Sequence, residues 1–109
     1  MKTKKEQQIL ALVKNPGEEP YIDPRFENTL EAFQQAVGGF IEALYITTDI
    51  VLICNEEGRL RGLPYNTTFL GADFYGPVLI VGAHGDEFRS LKSIYVSEMR
   101  RLLRGGDRA

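Results

Sequence analysis

Asp49–Asn66 reads DIVLICNEEGRLRGLPYN, and this stretch decides the fold class. Ile50 to Cys54 is an unbroken apolar run of strand length, suited to a strand covered on both faces. Asn55-Glu56-Glu57-Gly58 then predicts a hairpin turn, with Asn at the first position of a type I turn and Gly taking a positive φ at a bulge. On the expected return strand side chains alternate, so Arg59 and Arg61 share one face and Leu60 points opposite. Gly62-Leu63-Pro64 ends the run, since proline donates nothing to a ladder.

Upstream, Ile9 to Lys14 predicts a first strand, closed by the turn signal Asn15-Pro16-Gly17. Tyr21 to Asp23, bounded by two prolines, predicts a short edge strand. Asn28 is placed to cap a helix, with Glu31 three residues on completing a capping box. Leu30, Phe33, Ala36 and Val37 give that helix its apolar stripe, and Gly38-Gly39 stops it. Phe40 to Thr47 is rich in aromatic and β-branched residues and predicts a strand, turned by Thr47-Thr48-Asp49 into the central run.

Downstream, Tyr65 to Gly76 carries no clear period; Asn66 there could cap a short helical turn, or the segment could be an ordered loop. Val78 to Val81 predicts another buried strand, Ala83-His84-Gly85-Asp86 a turn, and Glu87 to Leu91 a short return strand. A terminal helix is capped by Ser90 or Ser93 and stripes Leu91, Tyr95, Met99, Leu102 and Leu103 on one side. Its arginines Arg100, Arg101 and Arg104 sit where the helix dipole favours positive charge. The expected architecture is α+β: a largely antiparallel sheet of about five to seven strands with two helices. Residues 9–104 are expected to form one domain, with disordered tails at 1–8 and 105–109.

Composition narrows the function. The net charge is −2, unevenly spread: Arg59 and Arg61 are the only cations between Glu27 and Glu87, while six cations follow Phe88. A duplex-binding groove usually shows a basic face over the body, so nucleic acid is disfavoured. No apolar run approaches the ~20 residues of a membrane span. The single cysteine, Cys54, forms no internal disulfide and fits the cytoplasm.

Catalytic signatures are missing. His84 is the lone histidine, in a glycine-flanked turn where solvent exposure is the default, and with Cys54 it lacks the further His or Cys of a zinc site. Glu56 and Glu57 are adjacent and diverge rather than pair, and no glycine loop carries the Lys and Ser/Thr of a phosphate cradle. No catalytic residue, metal or cofactor is therefore expected. Arg59 and Arg61, near Asn55, Tyr65 and Asn66, are expected to clamp a phosphate or carboxylate, and His84 completes the candidate ligand-binding set. The plainer alternative is that both arginines neutralise nearby acids and blunt a sheet edge.

Asn28-Thr29-Leu30-Glu31, Val37-Gly38-Gly39-Phe40-Ile41-Glu42, Ile53-Cys54-Asn55-Glu56-Glu57-Gly58, Gly62-Leu63-Pro64 with Asn66, and Gly76-Pro77-Val78-Leu79-Ile80-Val81-Gly82 follow in an order that is itself distinctive. With Phe88 and Ser90-Leu91 they resemble a domain-of-unknown-function family of small proteins common in bacteria, phages and mobile elements, over roughly residues 9–91. The resemblance implies a phage or mobile-element origin rather than a reaction. By analogy it implies a non-catalytic, homo-oligomeric binding protein that sequesters an anionic nucleotide-type signal as an anti-defence sponge. The alternative is a protein-interaction module acting on a host protein, through the acidic body or the basic terminal helix.

Overall fold

The computed structural model describes residues 6–105. In chain order they form β1 (Gln8–Lys14), β2 (Tyr21–Glu27), α1 (Leu30–Val37), β3 (Ile41–Thr47), β4 (Ile50–Asn55), β5 (Tyr65–Phe69), β6 (Ala72–Tyr75), β7 (Val78–His84), β8 (Glu87–Arg89) and α2 (Ser93–Arg104). One antiparallel sheet runs β2-β1-β7-β4-β3, with β8 added beside β7, and β5-β6 is a separate hairpin. The α+β expectation holds.

The three central strands carry unbroken apolar runs because both of their faces are covered. Ile9, Ala11, Val13, Val51, Ile53, Leu79 and Val81 pack under α1, against Phe33 and Val37. Phe33 also meets the rings of Phe26 at 4.8 Å and Phe88 at 5.3 Å, geometries that add to plain area burial. The alternate residues Leu12, Ile50, Leu52, Cys54, Val78 and Ile80 face Phe69 and Phe74 of the hairpin and Leu91, Met99 and Leu103 around α2. The protein is thus three layers, helix on sheet on hairpin plus helix.

Several local expectations change. Thr29, not Asn28, caps α1, its hydroxyl accepting from the Ala32 amide at 3.1 Å. Asn28 is buried instead and donates to the Glu6 and Phe88 carbonyls, stitching the chain start to the end of β8. Glu6, Gln7 and Gln8 therefore belong to the fold rather than to a tail, with Asn28 N–H donating to the Gln7 carbonyl at 2.8 Å. The remaining tail residues, 1–5 and 106–109, lie outside the described residues. Neither serine caps α2: its N-cap is Lys92, without a side-chain bond, and the Ser90 hydroxyl accepts from the Leu10 amide.

Tyr65 to Gly76 is neither a helical turn nor a loop but the β5–β6 hairpin, closed by Leu70 and Gly71, both at positive φ. Two of its polar residues, Asn66 and Thr67, are buried and donate to remote backbone. Asn66 donates to the Lys14 and Gly76 carbonyls, each at 2.8 Å, and Thr67 donates to the Leu103 carbonyl at 2.6 Å.

The largest departure lies after Asn55. No return strand forms, and 56–62 folds into a tight loop of helical turns. Amides of Gly58, Arg61, Gly62 and Leu63 donate to the carbonyls of Asn55, Glu57, Arg59 and Gly58, at 2.8 to 3.3 Å. Gly58 is required there, since a Cβ would sit 2.4 Å from the Tyr75 carbonyl oxygen.

Candidate functional site

The loop at 56–62 leaves the sheet from the end of β4, and Asn55 anchors it. Buried Asn55 donates to the Val37 carbonyl at 3.0 Å and accepts from the Glu57 amide at 2.8 Å, tying the end of α1 to the loop start. Each end of the amide thus already makes one structural bond, and Asn55 serves first as an anchor.

Because the loop is not a strand, its two arginines diverge in role. Arg59 lies over the Tyr75 ring, 5.6 Å from the centroid, a cation–π contact. Arg61 pairs with Glu57 one helical turn back, Nε to Oε1 at 3.3 Å, an exposed pair worth little by itself. Between them Leu60 stands out, 88 % exposed on a backbone held at both ends.

Arg59 borders a shallow cleft of about 180 Å³ shared with Glu42, Asn55, Glu56, Asp73 and Tyr75. Tyr65 stands behind it, its ring edge-on to Tyr75 at 5.8 Å and its hydroxyl 2.6 Å from that of Thr68. Cys54 closes the cleft floor. Desolvation first, and the Glu42 carboxylate second, push its thiol up to about 11, leaving a neutral and poorly nucleophilic sulfur. Three carboxylates against one guanidinium make this cleft a poor receptor for an anion.

The other expected site residues lie elsewhere. Asn66 is buried in the β5–β6 region with both amide hydrogens committed. His84 is exposed at the far end of β7. Ile53 faces Leu79 and Ile50 faces Gly82, so His84 lies beyond the opposite end of β4 from Asn55. That separation is roughly 20 Å at a strand's rise per residue, and it keeps His84 and Cys54 apart. Of the six residues, the structure brings together Asn55, Arg59 and, through Tyr75, Tyr65. Sequence reading missed Tyr75, which carries no periodic signal, and gave Leu60 no role although it is an apolar residue between Gly58 and Gly62.

A wider cleft of about 370 Å³ lies between the start of α1 and the β7–β8 turn, bordered by Asn28, Thr29, Leu30, Asp86 and Glu87. No group of three or more metal-ligating side chains occurs among the described residues. No helix among them is long and apolar enough to cross a membrane. The basic side of α2 is largely occupied: Arg101 holds Glu98 at 2.6 Å, Arg104 holds Glu19 at 2.9 Å, and Arg100 donates to the Pro20 carbonyl. Since Met99 and Leu103 are core residues, α2 is a structural layer of the domain.

Compared with known families, residues 9–104 match a domain of unknown function, DUF3846. The match runs through α2, beyond the span that the motifs suggested. No curated protein and no solved structure matches the chain.

Proposed function

The chain belongs to the DUF3846 family, and on that premise we propose that it is a non-catalytic protein-interaction module docking through the loop at 56–62. One observation carries this reading: Leu60 is almost fully exposed on a loop whose backbone is already fixed. An ordered loop gives up little conformational entropy on binding, and an apolar tip ringed by charges is the usual layout of an interface anchor. Arg59, Arg61, Glu56 and Glu57 supply that ring. The acidic body around it favours a partner with a basic surface. The proposed setting is the cytoplasm of a bacterium, with a phage or mobile element as the source and a host protein as the partner.

Affinity capture from bacterial lysate, followed by mass spectrometry and titration with the purified partner, tests this. Leu60→Asp should weaken binding by a hundredfold or so, about 3 kcal/mol on the scale of a central apolar anchor. Leu60→Met should restore most of it. Equal affinity of Leu60→Asp and the parent chain would remove the loop from the interface.

A second reading, sequestration of an anionic nucleotide-type molecule, is favoured by Arg59 lying over Tyr75 beside the cleft. Against it stand the cleft's carboxylates, its volume below the ~300 Å³ usual for ligand sites, and the Arg61–Glu57 pair. Calorimetry against cyclic and ADP-ribose-type nucleotides decides; silence at micromolar protein removes this reading.

A further inference from the structure

The two edges of the main sheet are built differently. β2, at one edge, has Pro24 in mid-strand, Asp23 and Arg25 around it, and a register shift in its pairing with β1. Those are the devices that discourage strand addition. β3, at the other edge, reads Ile-Glu-Ala-Leu-Tyr-Ile-Thr, with one charge and no proline. Its only irregularity against β4 falls between Tyr45 and Thr47.

The phase of the β3–β4 ladder follows from one bond, Glu56 N–H to the Phe40 carbonyl at 2.9 Å. In an antiparallel ladder bonded pairs alternate, so Phe40, Glu42 and Leu44 spend their backbone groups on β4. Ile41, Ala43 and Tyr45 then aim their N–H and C=O groups away from β4, toward the open edge. The neighbouring aromatics are exposed too: Phe40 by 69 % and Tyr45 by 50 %.

We propose that β3 is the dimer interface of this protein, pairing antiparallel with β3 of a second copy about a two-fold axis at Ala43. This goes beyond the docking loop and does not depend on it. The occupant is argued from self-complementarity. About that axis Ile41 meets Tyr45 of the second copy, and Tyr45 meets its Ile41. Glu42 lies opposite Leu44 rather than opposite another Glu42, so no like charges face each other directly. Phe40 comes beside Ile46, on the face where Leu44 and Ile46 already pack against the core. The small Ala43 side chain sits at the axis, where two copies of one residue must fit. The product is one continuous sheet through both protomers, which removes the unprotected edge.

Sedimentation and hydrogen exchange on the whole chain test the pairing. The expected result is a species of twice the chain mass, and amides of Ala43 and Tyr45 that exchange at least about tenfold more slowly as concentration rises through the micromolar range. Ala43→Pro removes only an outward N–H and should give a folded monomer. Tyr45→Lys places a charge against Ile41 of the second copy and should raise the dimer dissociation constant about tenfold or more, which serves if the proline variant misfolds. A chain that stays monomeric with fast-exchanging Ala43 and Tyr45 amides would overturn the proposal. A dimer that persists unchanged in the folded variants would overturn it equally, by placing the interface elsewhere.

Discussion

Replacing Asn55 by alanine should cost more stability than its position at the end of a strand suggests. The side chain makes two hydrogen bonds from a buried site, to the Val37 carbonyl and from the Glu57 amide. Each contributes about 1 kcal/mol net, and leaving the Val37 carbonyl without its partner adds about 1 kcal/mol or more. The expected loss is about 3 kcal/mol, which for a domain of this size lowers the melting temperature by about 12 °C. Urea unfolding followed by circular dichroism gives the first number and thermal scans the second. Asn55→Asp separates the two bonds, since a carboxylate still accepts from Glu57 N–H but donates nothing to Val37. It should be at least as destabilising near neutral pH and recover partly on acidification, when the protonated acid regains a donor. A change below about 0.5 kcal/mol for Asn55→Ala would refute the claim that this amide joins helix end to loop.

Three further outcomes follow from named contacts. Asp49 accepts from Thr47 first, and from Tyr95 and Lys92, which together hold its carboxyl below the ordinary value of 3.8. Its contribution is therefore present above that value and lost as pH falls through the lowered one, so Asp49→Asn should flatten the acid limb of a stability–pH curve. Cys54, pushed up to about 11, should react with a thiol reagent at pH 8 about a thousandfold more slowly than a fully ionised thiolate, until denaturant exposes it. Gly82→Ala would place a Cβ 2.3 Å from the Ser90 carbonyl oxygen, and chemical denaturation should show a loss of about 3 kcal/mol.

How much of this was legible depended on where each residue finds its partners. β1, β4 and β7 announce themselves because covered strands need apolar side chains on both faces, and the glycine after α1 announces its stop. The β5–β6 hairpin does not, because beside Phe69 and Phe74 it buries the polar Asn66 and Thr67. Asn66 and Thr67 are tolerated inside only because Lys14, Gly76 and Leu103 offer carbonyls, and no local pattern reveals contacts so distant in sequence. The misread return strand has a different cause. Arg59-Leu60-Arg61 alternates over three residues, too short to separate a strand from a helical turn. What settles it is the Gly58 backbone against Tyr75, a contact from another element. The candidate site inherits that error, since side chains sharing one face of a strand point apart around a turn.

The loop and the open edge are also related in space. Ile41 faces Asn55, so the loop leaves the sheet at the Ile41 end of β3. With the two-fold at Ala43, the Ile41 positions of the two copies are four residues apart along the strand, roughly 14 Å. The two loops then project from opposite ends of the paired strands and face away from each other. A partner with a single binding site would meet one loop at a time, so breaking the dimer should leave its affinity unchanged. A surface-immobilised or dimeric partner would gain from two loops only if its sites match that spread. Titrating one purified partner, free and immobilised, against the parent chain and Tyr45→Lys distinguishes these cases. A loss of affinity for the free monovalent partner in Tyr45→Lys would mean that the edge itself, and not only the loop, forms part of the docking surface.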